Sequence, residues 1–121
     1  MPASLQPVLQ ITGPAWKLTE IGGTPVVAGS KATLDFLDTG KPDSRVSGNG
    51  SCNKFGGKST ITGGTVHFSP LRSTKMACAS ELNAQETKYL EMLQAAERWE
   101  LRDRVLTIFC KGSDKPLRFV E

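Results

Sequence analysis

No stretch of the chain approaches the roughly 18 consecutive apolar residues that a helix needs to cross a bilayer, so no transmembrane helix is expected. Charge of one sign is also scarce. Lys and Arg number 15 against 12 Asp and Glu, a net charge of +3, too mild for a nucleic-acid binder, whose footprint is a strongly basic face. One histidine and three cysteines, with no Cys-x-x-Cys pair, leave little for metal chemistry. Cys52, Cys78, Cys110 and His67 would make four ligands, but their spacing matches no zinc pattern. No cofactor is expected. The opening, Met1-Pro2-Ala3-Ser4-Leu5-Gln6-Pro7, has neither the basic start nor the apolar run of a signal peptide. With 121 residues there is room for one domain and not for two catalytic lobes.

What the chain does contain is enough to build a core. Hydrophobic residues at 38%, together with 12 glycines, reach the ordinary globular share, which excludes a disordered tail. Residues 1–14 are expected to form a poorly ordered extension, and residues 15–121 a single domain.

Glycine and proline recur about every ten residues, which points to short strands. Trp16 and Leu18 mark one face of a first strand. Ala32, Leu34 and Phe36 alternate with polar neighbours, the period of a half-buried strand. Asp38-Thr39-Gly40 reads as a turn. Extended structure resumes at Arg45-Val46-Ser47 ahead of a glycine-rich loop over 48–57. Ser59–Thr62 and Thr65–Phe68 flank Gly63-Gly64, a strong hairpin signal. One helix stands out over about Ala84–Arg98, with Asn83 as cap, Glu86 completing a capping box, and Tyr89, Leu90, Leu93 and Ala96 on one face. Strands return around Trp99, over Val105–Phe109 after a turn at Arg102-Asp103-Arg104, and over Leu117–Val120 after Gly112-Ser113-Asp114. The expected fold is mainly β: about eight antiparallel strands and one late helix, the sheet closing into a small barrel to remove its edges.

Few residues offer chemistry. Cys52–Ser59 ends in the Gly-Lys-Ser of a phosphate-binding loop, but a strand follows where such a loop must open a helix. A Cys–His nucleophile needs an orienting third group; none is identifiable, and His67 falls on the outward side of its strand. Asn49-Gly50-Ser51 fits a glycosylation acceptor, yet Asn-Gly is first of all a turn. A disulfide suits Cys52 and Cys78 better, since both lie in irregular segments bracketing the hairpin, and it would imply an oxidising compartment. Cys110, in step with Leu106 and Ile108, is then a buried thiol. Residues 41–75 carry Lys41, Arg45, Lys54, Lys58, Arg72 and Lys75 against Asp43 alone. Arg45, Lys54, Lys58, Arg72 and Lys75 form a candidate patch for an anionic partner, although scattered surface charge is more often simply solvated.

Taken together, Trp16-Lys17-Leu18 with Ile21-Gly22-Gly23, the block from Val46 to Gly57 with its Cys52-Asn53-Lys54-Phe55, and the block Phe68 to Cys78 ending Thr74-Lys75-Met76-Ala77-Cys78 resemble the META domain, the family of the bacterial heat-shock protein HslJ. Ser51 and Ser59 depart from the family's usual glycine and aromatic. The resemblance implies a small barrel-like domain with one packed helix, an envelope location, an association with heat shock and no established enzymatic activity. The lipoprotein leader common among its bacterial members is not seen, so the expectation is a mature envelope or periplasmic chain, or a cytoplasmic one if Met1 is the native start. Gly48, Gly50, Asn53, Phe55, Gly56 and Gly57 are expected to act structurally: the glycines by adopting backbone angles closed to other residues, Asn53 by bonding nearby backbone. The function expected is therefore a non-catalytic, monomeric, partner-binding module. The alternative is a carrier holding one apolar molecule inside the barrel. Against it stand Trp16, Leu34, Phe36, Ile61, Phe68, Trp99, Ile108, Leu117 and Phe119, enough to fill the interior.

Overall fold

The computed structural model describes residues 15–37 and 43–121; the expected extension over 1–14 and the turn at Asp38-Thr39-Gly40 lie outside them. One antiparallel sheet contains β1 (Trp16–Ile21), β2 (Thr24–Pro25), β3 (Thr33–Phe36), β4 (Asp43–Asn49), β5 (Lys54–Thr62), β6 (Thr65–Phe68), β7 (Arg72–Ser73), β8 (Ala96–Arg102), β9 (Val105–Cys110) and β10 (Leu117–Val120). Among the described residues there is one helix, α1 (Ser80–Gln94), between β7 and β8. Eight strands close in the order β1-β3-β4-β5-β6-β8-β9-β10, with β10 returning to β1. The short β2 and β7 are additions, paired to β1 and β5. The expected barrel is therefore present, with two small strands beyond the eight.

Local chemistry accounts for the turns. At the β5–β6 hairpin Gly63 has φ +59°, open to glycine at no steric cost. Asp103 and Arg104, between β8 and β9, both have positive φ, the twist that a two-residue hairpin turn demands. Alternation places Phe55, Ser59 and Ile61 of β5 inward, with Leu106, Ile108 and Cys110 of β9. Trp16, Leu34, Tyr89, Leu93, Leu106, Ile108, Leu117 and Phe119 are completely buried, so side chains fill the barrel axis, as is usual for a barrel of this size.

Two expectations need correcting. The glycine-rich segment is not one loop: Gly48 belongs to β4, and Gly56 and Gly57 lie inside β5, opposite Ser47 and Val46. None of Gly48, Gly50, Gly56 and Gly57 has a positive φ; among the described residues the left-handed glycines are Gly22, Gly23, Gly29, Gly63 and Gly112. Most of the hallmark glycines answer to space instead. A Cβ on Gly48 would run into the Thr33 carbonyl oxygen and the Phe55 ring, which stacks there against the paired strand. Gly48→Ala is expected to cost about 1.5–3 kcal/mol, as overpacking against backbone does. A Cβ on Gly56 meets only the Val46 oxygen, at 3.5 Å, so Gly56→Ala is expected to stabilise by about 0.5 kcal/mol through reduced chain entropy. Urea unfolding of the two variants checks the contrast.

The helix also departs from its expected span. It starts at Ser80 and ends at Gln94, four residues ahead of the expected span at each end. Asn83 makes no cap; its side chain donates to the Cys78 carbonyl. Residues 96–102 pair with β9, Trp99 opposite Ile108, because burying Ala96 and Trp99 on the barrel wall outweighs continuing the helix. Arg98 accordingly sits on a strand, its guanidinium 4.5 Å over the Phe109 ring, and not at a helix end. Inward, α1 carries Tyr89 and Leu93 across one end of the barrel. The Tyr89 ring meets Phe55 edge-on at 5.7 Å and Phe119 at 6.1 Å, and its hydroxyl donates to the Thr33 carbonyl of β3, between them around the barrel. The helix is thus a plug held by β3, β5 and β10.

Candidate functional site

The segment from β4 to β5 forms a tight loop over 50–53 at the rim that α1 covers. Asn49 Oδ1 accepts the Ser51 N–H at 2.8 Å and the Gly50 N–H donates to the Asn53 carbonyl at 2.8 Å, with Ser51 at φ +103°. Cys52 is joined to Cys78 across this loop, Cα to Cα 5.9 Å, as the sequence suggested.

Glu86 is the residue that sequence reasoning misplaced. Instead of capping the helix, it turns into the rim and is buried. Its Oε1 accepts the backbone N–H groups of Cys52 and Asn53 at 3.0 and 2.6 Å, and its Oε2 accepts Asn53 Nδ2 at 2.7 Å. Gly50 makes the room: a Cβ there would stand 2.5 Å from Glu86 Cγ and Oε1. Asn53 then bonds the strap after β7. Its Oδ1 accepts the Thr74 hydroxyl and the Met76 N–H, and its Nδ2 also donates to the Met76 carbonyl. Asn53 thus bonds backbone at the Met76 N–H and carbonyl, with Glu86 as an unforeseen partner. Neighbouring helix residues repeat the pattern. Gln85 takes the Val27 N–H and donates to the Ser30 hydroxyl, and Gln94 takes the Leu71 N–H. Among the described residues no buried side-chain nitrogen or oxygen is left without a partner.

Around this latch lies a cleft of about 490 Å³ between the strap and α1, lined by Asn53, Thr74, Lys75, Met76, Thr87, Leu90 and Glu91 among others. Met76 is 63% exposed at its edge. A second, more apolar groove of about 340 Å³ runs between β2 and α1, past Ile21, Pro25, Val27 and Ala84.

The remaining candidates scatter. His67 is exposed on the outer face of β6, opposite Thr60, away from the two joined cysteines. Cys110 is buried at the end of β9, and burial, with a smaller effect from Glu97, pushes its thiol up to about 11. Burial and then the nearby Asp35 hold the Tyr89 phenol well above its ordinary value. No group of three or more His, Cys, Asp or Glu side chains that could hold a metal occurs among the described residues. Of the basic residues, Arg45, Lys54, Lys58 and Arg72 come together on the outer wall of β4, β5 and β7, with Lys75 in the strap beyond.

A closed eight-stranded barrel, plugged by one helix and latched through a disulfide-bonded rim loop, defines a class of small stapled barrels. The chain belongs to the META domain family, whose model matches residues 9–121. That match begins ahead of the boundary expected at residue 15. A protein of Burkholderia xenovorans solved by NMR is similar at 26% identity, over 99% of this chain and 87% of that one, with a TM-score of 0.70. Another NMR structure shares the fold at 24% identity and a TM-score of 0.71, over 92% of this chain and 91% of that one. No curated protein matches the chain.

Proposed function

We propose that this chain is a non-catalytic, stress-associated module of the cell envelope that binds or shields protein partners. The observation that carries the reading is the internal use of the hallmark residues. Asn53 and Glu86, the polar groups best placed for chemistry, direct their bonds at the loop, the strap and each other. They build a surface and leave Met76 and Lys75 exposed on it. The Cys52–Cys78 bond supports an oxidising compartment, hence the periplasm. An apolar-ligand carrier finds no such support, because Trp16, Leu34 and Phe119 already occupy the interior.

The test is site-specific photo-crosslinking in heat-stressed host cells. A photoreactive residue at Glu91, exposed on the α1 wall of the cleft, is expected to give one or a few reproducible protein adducts in the envelope fraction. The same residue at Asp103, on the β8–β9 turn, should give none. Equal labelling at both positions, or none at either, would overturn the reading.

A further inference from the structure

We propose that the outer wall of β4, β5 and β7 docks on an anionic lipid bilayer, with Leu37 and Met76 as apolar anchors at its two ends. Strand register defines this face. Along β5, Phe55 and Ser59 are buried while Lys54 and Lys58 are exposed, so 54, 56 and 58 are the outward positions. Pairing sets Arg45 opposite Lys58 and Arg72 opposite Gly56. Arg72 therefore stands diagonal to both lysines, about 7–8 Å away on one face. The Thr74 N–H bonds the Lys54 carbonyl, which brings Lys75 to the same end. Ser47, Asn49, Thr60 and His67 hold the adjoining outward positions on β4, β5 and β6. Acids lie at the margins: Asp35 opposite Ser47, Asp43 opposite Thr60, and Glu91 on the far wall of the cleft.

Two further observations point to a membrane. Gly56 has no positive φ, and a Cβ there would meet only ordinary contact, so the fold does not require glycine. Its effect is a bare patch in the middle of the cations, where a headgroup can approach the backbone. Leu37 and Met76, moreover, are the exposed large hydrophobics among the described residues, at 48% and 63%. The Leu37 N–H bonds the Arg45 carbonyl, beside one end of the strip; Met76 is two residues beyond Thr74, beside the other. Strand rise puts them about 20 Å apart. Single exposed hydrophobes are commonplace, but these two bracket a cationic strip, the arrangement in which apolar side chains reach the acyl boundary while lysines hold headgroups.

The experiment is co-sedimentation with vesicles of equal phosphatidylglycerol and phosphatidylcholine, at about 50 mM salt, where charge is weakly screened. Binding is expected, with none to pure phosphatidylcholine and release in high salt. The pair Lys58→Gln and Arg72→Gln should weaken binding roughly 25-fold, about fivefold per cation. Removing the same charge elsewhere, through Arg102→Gln and Lys111→Gln, should change it less than about twofold. Leu37→Ser with Met76→Ser should weaken vesicle binding about tenfold and leave binding to soluble polyglutamate unchanged. Equal loss in the control pair, or binding to neutral vesicles, would overturn the proposal. So would vesicle binding indifferent to Leu37 and Met76 and matched by polyglutamate, an outcome that would assign the wall to an acidic protein. Circular dichroism confirms that each surface variant is folded.

Discussion

Glu86→Ala is expected to lower the unfolding free energy by about 3–5 kcal/mol, the cost of removing one acceptor group shared by three buried donors. Three donors depend on this side chain: the Cys52 and Asn53 amides and Asn53 Nδ2. Alanine supplies no acceptor, and each stranded buried donor costs about 1–3 kcal/mol. In a domain of this size the thermal midpoint should fall on the order of 10–20 °C. Glu86→Gln separates the two oxygens. The amide oxygen can still take the two backbone N–H groups, but its NH2 confronts Asn53 Nδ2, so about half of the loss is expected. Chemical unfolding of both variants checks the order. If Glu86→Ala cost under about 1 kcal/mol, that would refute the latch, because solvent would then be serving the loop equally well.

Removing the disulfide through Cys52→Ala with Cys78→Ala is the second large effect. The bond closes a separation of 26 residues, for which chain entropy gives about 3–3.5 kcal/mol. The loss should be local before it is global. Hydrogen exchange is expected to accelerate at the Cys52, Asn53 and Met76 amides, which the latch holds. The β8–β9 hairpin should change only with overall stability. Glu86 and the disulfide grip the same loop, so a chain lacking both should lose at least about 1 kcal/mol less than the two separate losses combined. Strict additivity would mean that the two fastenings act independently.

Periodicity made the barrel legible. Alternation in Ala32–Phe36 and Val105–Cys110 and the Gly63-Gly64 turn are local signals, and local signals survive folding. Glu86 was hidden for the opposite reason. A glutamate three residues after an asparagine is a helix-start pattern, and nothing in the sequence says that loop 50–53 will lie beneath it, 33 positions away along the chain. The same gap explains the glycines. Gly48 looks like a turn residue, and only the packed Phe55 ring and the Thr33 carbonyl reveal it as a clearance. The helix end was misread because Ala96 keeps helical spacing with Leu93 while the wall beside β9 claims it. Asn53 was readable as a backbone binder because short amides do that in most irregular segments.

Closure of the barrel has a consequence in time. Lys17 pairs with Val120 and Ile21 with Leu117, so the first strand to leave a ribosome or a translocation pore must wait for the last. Until then β1 and β9 each present an open edge, the hazard that a finished barrel abolishes. Such long-range pairing is slow to form. A chain delivered under conditions that favour aggregation is therefore most vulnerable in the interval before the four residues of β10, Leu117 to Val120, arrive to seal the seam.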